Sequence, residues 1–117
     1  MTAIRLSTNS VKNRSLVPSI QEHIITMEEV LWHDNAEDCW IILYDRVYNI
    51  TEFLLEHPGG ADVLLEHAGR DATLAFRGAG HSINAINILK RYHIGILPLH
   101  ERIFRKPGGL KLKEMPE

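Results

Sequence analysis

The pattern of apolar positions changes character at Thr51. Before it, Cys39-Trp40-Ile41-Ile42-Leu43-Tyr44 is an unbroken run rich in aromatic and β-branched residues, the texture of a mostly buried strand. Asp45 and Arg46 supply a turn and Val47-Tyr48-Asn49-Ile50 a second strand, so this stretch predicts a hairpin. Upstream, Thr26-Met27-Glu28-Glu29 has the form of a capping box, in which a threonine and a glutamate three residues later satisfy backbone donors at a helix start. It predicts a short helix to about His33, followed by a polar turn from Asp34 to Asp38. After Thr51, short helical stretches alternate with punctuation: Glu52 to Glu56, Ala61 to His67, Ala72 to Arg77 and Ile83 to Tyr92, broken by Pro58-Gly59-Gly60, by Gly69, and by Gly78 and Gly80. Thr51, Asp71 and Ser82 stand at N-cap positions, and Ile94 to Leu97 predicts a returning strand. No repeat period is evident. Helices this short bury little each and are marginal in isolation, so something should sit between them.

At 117 residues, 44% hydrophobic and 24% charged, the chain has the composition of one ordinary globular domain with a limited core. A cofactor filling that core would add stability by binding only the folded state. The single cysteine, Cys39, lies in the apolar run and excludes an intrachain disulfide, a Cys-rich zinc site and an iron–sulfur cluster. No stretch of about 18 apolar residues occurs, so no membrane anchor is expected. The formal charge of −2 hides an asymmetry: residues 23–104 carry 12 acidic and 6 basic side chains, a net −6, between basic flanks. An acidic body argues against nucleic acid and for basic protein partners. The chain divides into a basic leader over 1–22, expected to be disordered, a domain over 23–100 and a polar tail over 101–117. The leader also has a faint mitochondrial transit character, with Arg5, Lys12 and Arg14 against Glu22.

Seven histidines invite a metal reading. His23, His33 and His100 lie in polar terminal or turn regions, where a solvated imidazole is ordinary, and His67 and His93 sit where structural roles suffice. His57 differs because Pro58 ends a helical turn there and Gly59-Gly60 let the backbone pass close to a bulky flat ligand. His81, between Gly80 and the helix-starting Ser82, is a matching corner. A zinc site from His57, His67 and His81 with Glu56 or Glu66 is chemically suitable but lacks H-E-x-x-H or a similar spacing. Spacing alone leaves haem and zinc both open, with haem ahead.

His57-Pro58-Gly59-Gly60, followed by Gly80-His81-Ser82, resembles the haem-binding core of the cytochrome b5 family. The resemblance extends in order through Thr26 to Glu29, Trp40 to Leu43, Arg46 to Tyr48, Phe53, Ala68-Gly69, Asp71-Ala72-Thr73, Phe76 and Ile94-Gly95, covering about residues 24–98 without a gap. It implies an α+β fold in which a small mixed sheet and two helical hairpins enclose a haem. His57 and His81 would be the axial iron ligands, with Phe53, Val63, Leu64, Phe76 and Ile88 as pocket walls, Leu43 and Ile50 behind them, and Ser82 on a propionate. Without C-x-x-C-H the cofactor would be non-covalent haem b. The implied function is that of a monomeric one-electron carrier rather than an enzyme. A flavin-dependent reductase would be the donor, and an oxidase, desaturase or hydroxylase the acceptor. The expected location is cytoplasmic, or mitochondrial if the leader is a transit peptide. The rivals are a haem-sensing or haem-delivery module and a zinc-binding interaction domain. The chain departs from the family's acidic rim at Ala61-Asp62, Leu74 and Arg77-Gly78. With Arg77 and Leu74 at the haem edge, electron transfer to a basic acceptor would be slowed.

Overall fold

A computed structural model describes residues 22–57, 62–78, 83–113 and 115–116. Helix α1 is Met27–Leu31, and the Thr26 hydroxyl accepts the Glu29 N–H at 3.1 Å, one half of the expected capping box. The strands are β1 (Asp34–Asn35), β2 (Asp38–Leu43), β3 (Arg46–Asn49) and β4 (His93–Ile96). They form one sheet in the order β1-β2-β3-β4 with every neighbour antiparallel. The expected mixed character survives only as single parallel bridges, Ile24 with Ile96 and Ile42 with Asp71. Part of the predicted polar turn is thus the edge strand β1.

Alternation along β2 explains the unbroken apolar run. Cys39, Ile41 and Leu43 join one buried cluster with Ile50, Leu64, Ala72, Phe76 and Leu89. Ile42 joins a second, with Ile25, Val30, Val47 and Leu97. The central strand is therefore covered on both faces, which calls for apolar side chains at successive positions. The segment before α1 closes the second cluster by lying against β4, where Ile25 N–H donates to the Ile96 carbonyl at 3.0 Å and Ile96 N–H to that of His23 at 2.8 Å. Gly95 permits this approach, since a Cβ there would stand 2.5 Å from the His23 carbonyl oxygen.

The hairpin turn lies at Tyr44-Asp45, one residue earlier than the sequence suggests, with φ of 52° and 72°. Two successive positive φ values match the twist of a two-residue hairpin, but Asn-Gly is the usual solution and a tyrosine there is strained. Tertiary bonds fix it. The buried Asp45 carboxylate accepts backbone N–H groups from Ile103 (3.0 Å), Phe104 (2.7 Å) and Arg105 (2.7 Å). The segment expected to be a polar tail is therefore folded onto the domain, with Phe104 buried against Tyr44. Glu22, placed in the leader by its sequence, also belongs to the body. Its carboxylate stands 2.7 Å from His93 Nε2 and 3.2 Å from Arg46 Nε.

The described helices of the second half are α2 (Thr51–Glu56), α3 (Asp62–Leu65), α4 (Thr73–Gly78) and α5 (Ile83–Leu89), the last followed by a 3-10 turn over Lys90–Tyr92. The Asp71 carboxylate caps α4 by accepting the Thr73 N–H at 2.8 Å, as expected. Thr51 does not cap α2. Its hydroxyl accepts the Cys39 N–H at 2.9 Å and donates to Asn49 Oδ1 at 2.8 Å, so it serves the sheet instead. The Ser82 cap, together with residues 1–21, Pro58-Gly59-Gly60 and Gly80-His81, lies outside the described residues. His33, expected to be solvated, stacks on Trp40 with centroids 3.5 Å apart, and its Nδ1 lies 2.7 Å from the Asp38 carboxylate.

Burial, reinforced by the nearby Asp38 carboxylate, pushes the Cys39 thiol up to about 11. The native state holds this proton more tightly than the unfolded chain does, so the contribution to stability is complete below the ordinary thiol value and is lost as pH rises through about 11. At pH 8 the folded protein should react with iodoacetamide roughly a hundredfold more slowly than the chain in urea, because the thiolate is the nucleophile. Equal rates, read by mass spectrometry, would contradict this burial.

Candidate functional site

Where α2, α3, α4 and α5 converge, their apolar sides leave a cleft of about 180 Å³ lined by Phe53, His57, Leu64, Phe76, Ala85, Ile88 and Leu89. Each helix contributes through a different short stretch, and each is too brief to bury its own apolar side. Phe76 and Leu64 reach the cleft from within the same buried cluster as Leu43 and Ile50. Ile88 is 58% exposed and marks its outer edge. Val63, expected as a wall, packs beside the core cluster but is not part of the lining.

His57 terminates α2. Its backbone N–H donates to the Phe53 carbonyl at 2.9 Å, and φ of −135° takes the chain out of the helix, as the following proline requires. The exposed imidazole lies 4.8 Å, centroid to centroid, from the Phe53 ring. A second link fixes this end of α2: the Tyr92 hydroxyl donates to Glu56 Oε1 at 3.0 Å, while the Tyr92 ring meets Phe53 edge-on. Burial, followed by that bond to Glu56, raises the phenol above its ordinary value and keeps it a donor. Ala85, Leu89 and Tyr92 were not picked out in the sequence, and Glu56 only as a candidate zinc ligand. Ala85 and Leu89 share one helical face with Ile88 by i, i+3, i+4 spacing, a signal that was present. The Glu56–Tyr92 link spans 36 residues and left no local signal.

His67 is structural, its Nδ1 lying 3.1 Å from the Val63 carbonyl in the turn after α3. Among the described residues no three His, Cys, Asp or Glu side chains stand close enough to hold a metal ion. His81 and Ser82 lie outside them. Arg77 is not the free rim charge its position suggested, for its Nη1 donates to the Tyr44 hydroxyl at 3.0 Å and to the Lys113 carbonyl at 2.9 Å. Both partners are neutral, so the guanidinium keeps its charge while being held in place, and Leu74 is 73% exposed.

A small α+β domain whose short helices surround an apolar cleft with an imidazole at its mouth is a prosthetic-group protein. Residues 26–98 match the model of the cytochrome b5-like heme/steroid binding domain. The chain is 48% identical over 75 residues to cytochrome b5, seed isoform, of Nicotiana tabacum, covering 64% of this chain and 56% of that protein. It is 54% identical over 69 residues to cytochrome b5 type B of Mus musculus, covering 59% and 47%. Among solved structures it is similar to cytochrome b558 of Ectothiorhodospira vacuolata, with a TM-score of 0.60 and 33% identity over 66% of this chain and all of that one. The chain belongs to the cytochrome b5 family, whose members are electron carriers that hold haem b without covalent attachment. It spans about half the length of the curated relatives it matches. Among the described residues no helix is long and apolar enough to cross a membrane.

The residues present fit the group. A flat macrocycle needs apolar walls on its faces and a nitrogen donor for its metal. Phe53, Leu64, Phe76 and Leu89, which line the cleft, could supply the former and His57 the latter. Removing haem should therefore raise amide hydrogen exchange across residues 51–92 more than across the hairpin at 39–50, because the helices lose the body they pack on. Equal protection of both regions in apo and holo protein would contradict it.

Proposed function

We propose that His57 and His81 ligate the haem iron from opposite faces, and that this domain passes single electrons from a flavin-dependent reductase to an oxidase, desaturase or hydroxylase. The observation carrying the proposal is the imidazole of His57 at the mouth of the apolar cleft, in a chain with a second histidine beside a glycine at His81. Bound haem supplies a one-electron iron couple. The protein's own part is to orient and to exclude. The α2 terminus, held by the Phe53 carbonyl and the Glu56–Tyr92 bond, sets the position of His57. Phe53, Leu64, Phe76 and Leu89 keep water from the haem faces, and Ser82 is assigned to a propionate. Two imidazoles, from His57 and His81, would leave the iron no position for oxygen or substrate, as suits a carrier rather than a catalyst.

Partner choice follows from charge. Glu52, Glu56, Asp62 and Glu66 lie exposed on and beside α2 and α3, next to the cleft. An acidic rim favours encounter with basic surfaces, within a screening length of about 8 Å at physiological salt.

The reduced protein should show the sharp split visible bands of low-spin bis-imidazole haem and should bind carbon monoxide slowly. His57→Ala and His81→Ala should each give a high-spin or carbon monoxide-reactive haem, whereas His67→Ala should leave the spectrum unchanged. Rapid carbon monoxide binding by the unaltered protein, or a His67→Ala spectrum like the other two, would overturn the ligand assignment. Rapid release of haem to a scavenging apoprotein would favour a delivery module over a carrier, and metal analysis would reveal zinc.

A further inference from the structure

The family match ends at residue 98, yet the chain beyond it is built into the domain. The N–H groups of Ile103, Phe104 and Arg105 all point to the Asp45 carboxylate, and the Arg105 guanidinium donates from Nε to the Tyr44 carbonyl at 2.7 Å and from Nη2 to the Pro116 carbonyl at 3.0 Å. The segment then doubles back, with Leu110 N–H donating to the Ile103 carbonyl at 2.9 Å. Gly109 makes this fold possible, because a Cβ there would collide with the Phe104 carbonyl. Leu112 and Met115 pack against the cluster that contains Phe76.

Helix α4, which carries the cleft wall Phe76, is joined to this segment at both ends through one residue. At its start the Thr73 hydroxyl accepts the Tyr44 N–H at 2.9 Å in a buried position. At its end Arg77 bridges the Tyr44 hydroxyl and the Lys113 carbonyl. A six-residue helix has little rigidity of its own, so these attachments decide whether the wall stays in place.

We infer that residues 99–113 form a strap that braces the α4 wall of the cleft, with Arg77 and Tyr44 as positioning residues, and that the strap slows escape of the haem. The inference rests on the proposed function for its ligand, but the brace itself is a property of the protein alone.

The test uses the full chain and the variants Tyr44→Phe, Arg77→Met and their combination. Haem should pass to excess apomyoglobin about five- to tenfold faster from each single variant, the size expected for loss of one or two partly buried hydrogen bonds. The double variant should be no faster than the faster single one, because both remove the same link. Visible spectra should stay those of the parent, and Arg70→Met, whose guanidinium bonds only the exposed Glu66 carbonyl among the contacts described, should release haem at the parent rate. In the apo proteins, amides 73–78 should exchange faster in Tyr44→Phe and in Gly109→Ala than in the parent. Should Arg77→Met fail to fold, Tyr44→Phe, which removes a single oxygen atom, carries the result. Parent-like haem transfer together with parent-like exchange over 73–78 would overturn the strap. A parent chain that takes up no haem would sink the proposed function, while the apo exchange would still decide the brace.

Discussion

The shortness of the helices constrains everything else in this domain. Those around the cleft have six, four, six and seven residues, below the length at which a helix is stable alone. Each must be held by bonds to something else, and the sheet supplies most of them. The Ile42 N–H donates to the Arg70 carbonyl at 3.0 Å and the Ala72 N–H to the Ile42 carbonyl at 2.8 Å, stitching the α3–α4 turn to the central strand. Thr51 ties the start of α2 to the same strand through Cys39. The Ala72 N–H at the start of α4 is thereby satisfied by the sheet, beside the Asp71 cap on Thr73. The apolar sides of the helices are then free to face a ligand instead of one another.

This division explains what could be read in the sequence. The hairpin, the capping threonine of α1, the Asp71 cap and the helix order are written locally, in periodicity and in residues next to the element they serve. Phe53, Leu64, Phe76 and Ile88 were legible as cleft-lining residues, and Leu43 and Ile50 as buried ones, because the family pattern names all six. The family pattern names Val63 as a wall together with Leu64, but on their single helical turn Leu64 lines the cleft and Val63 does not. The Tyr44-Asp45 turn, the folded end of the chain and the inward role of Arg77 were not legible. Their partners lie 29 to 61 residues away, and no local propensity encodes a bond of that range.

The placement of Arg77 also alters the charge of the cleft's surroundings. A guanidinium bonded to a tyrosine hydroxyl and a carbonyl keeps its charge but presents less of it to an approaching protein. Glu52, Glu56, Asp62 and Glu66 remain exposed beside the cleft. Long-range attraction depends on where charges face, not on how many the chain contains.

The polar character of the C-terminal segment was misleading for a related reason. Hydropathy reports side chains, whereas this segment is held mainly by its backbone. A buried carboxylate is costly unless hydrogen-bonded, and Asp45 meets that requirement with donors from three successive residues. The arrangement works in both directions, since those N–H groups would themselves need partners once Phe104 is buried. The left-handed backbone at Tyr44 and Asp45 is then the compensated strain that brings the carboxylate to the segment and the tyrosine to α4. A locally unfavourable turn is retained because two separate parts of the chain are satisfied through it.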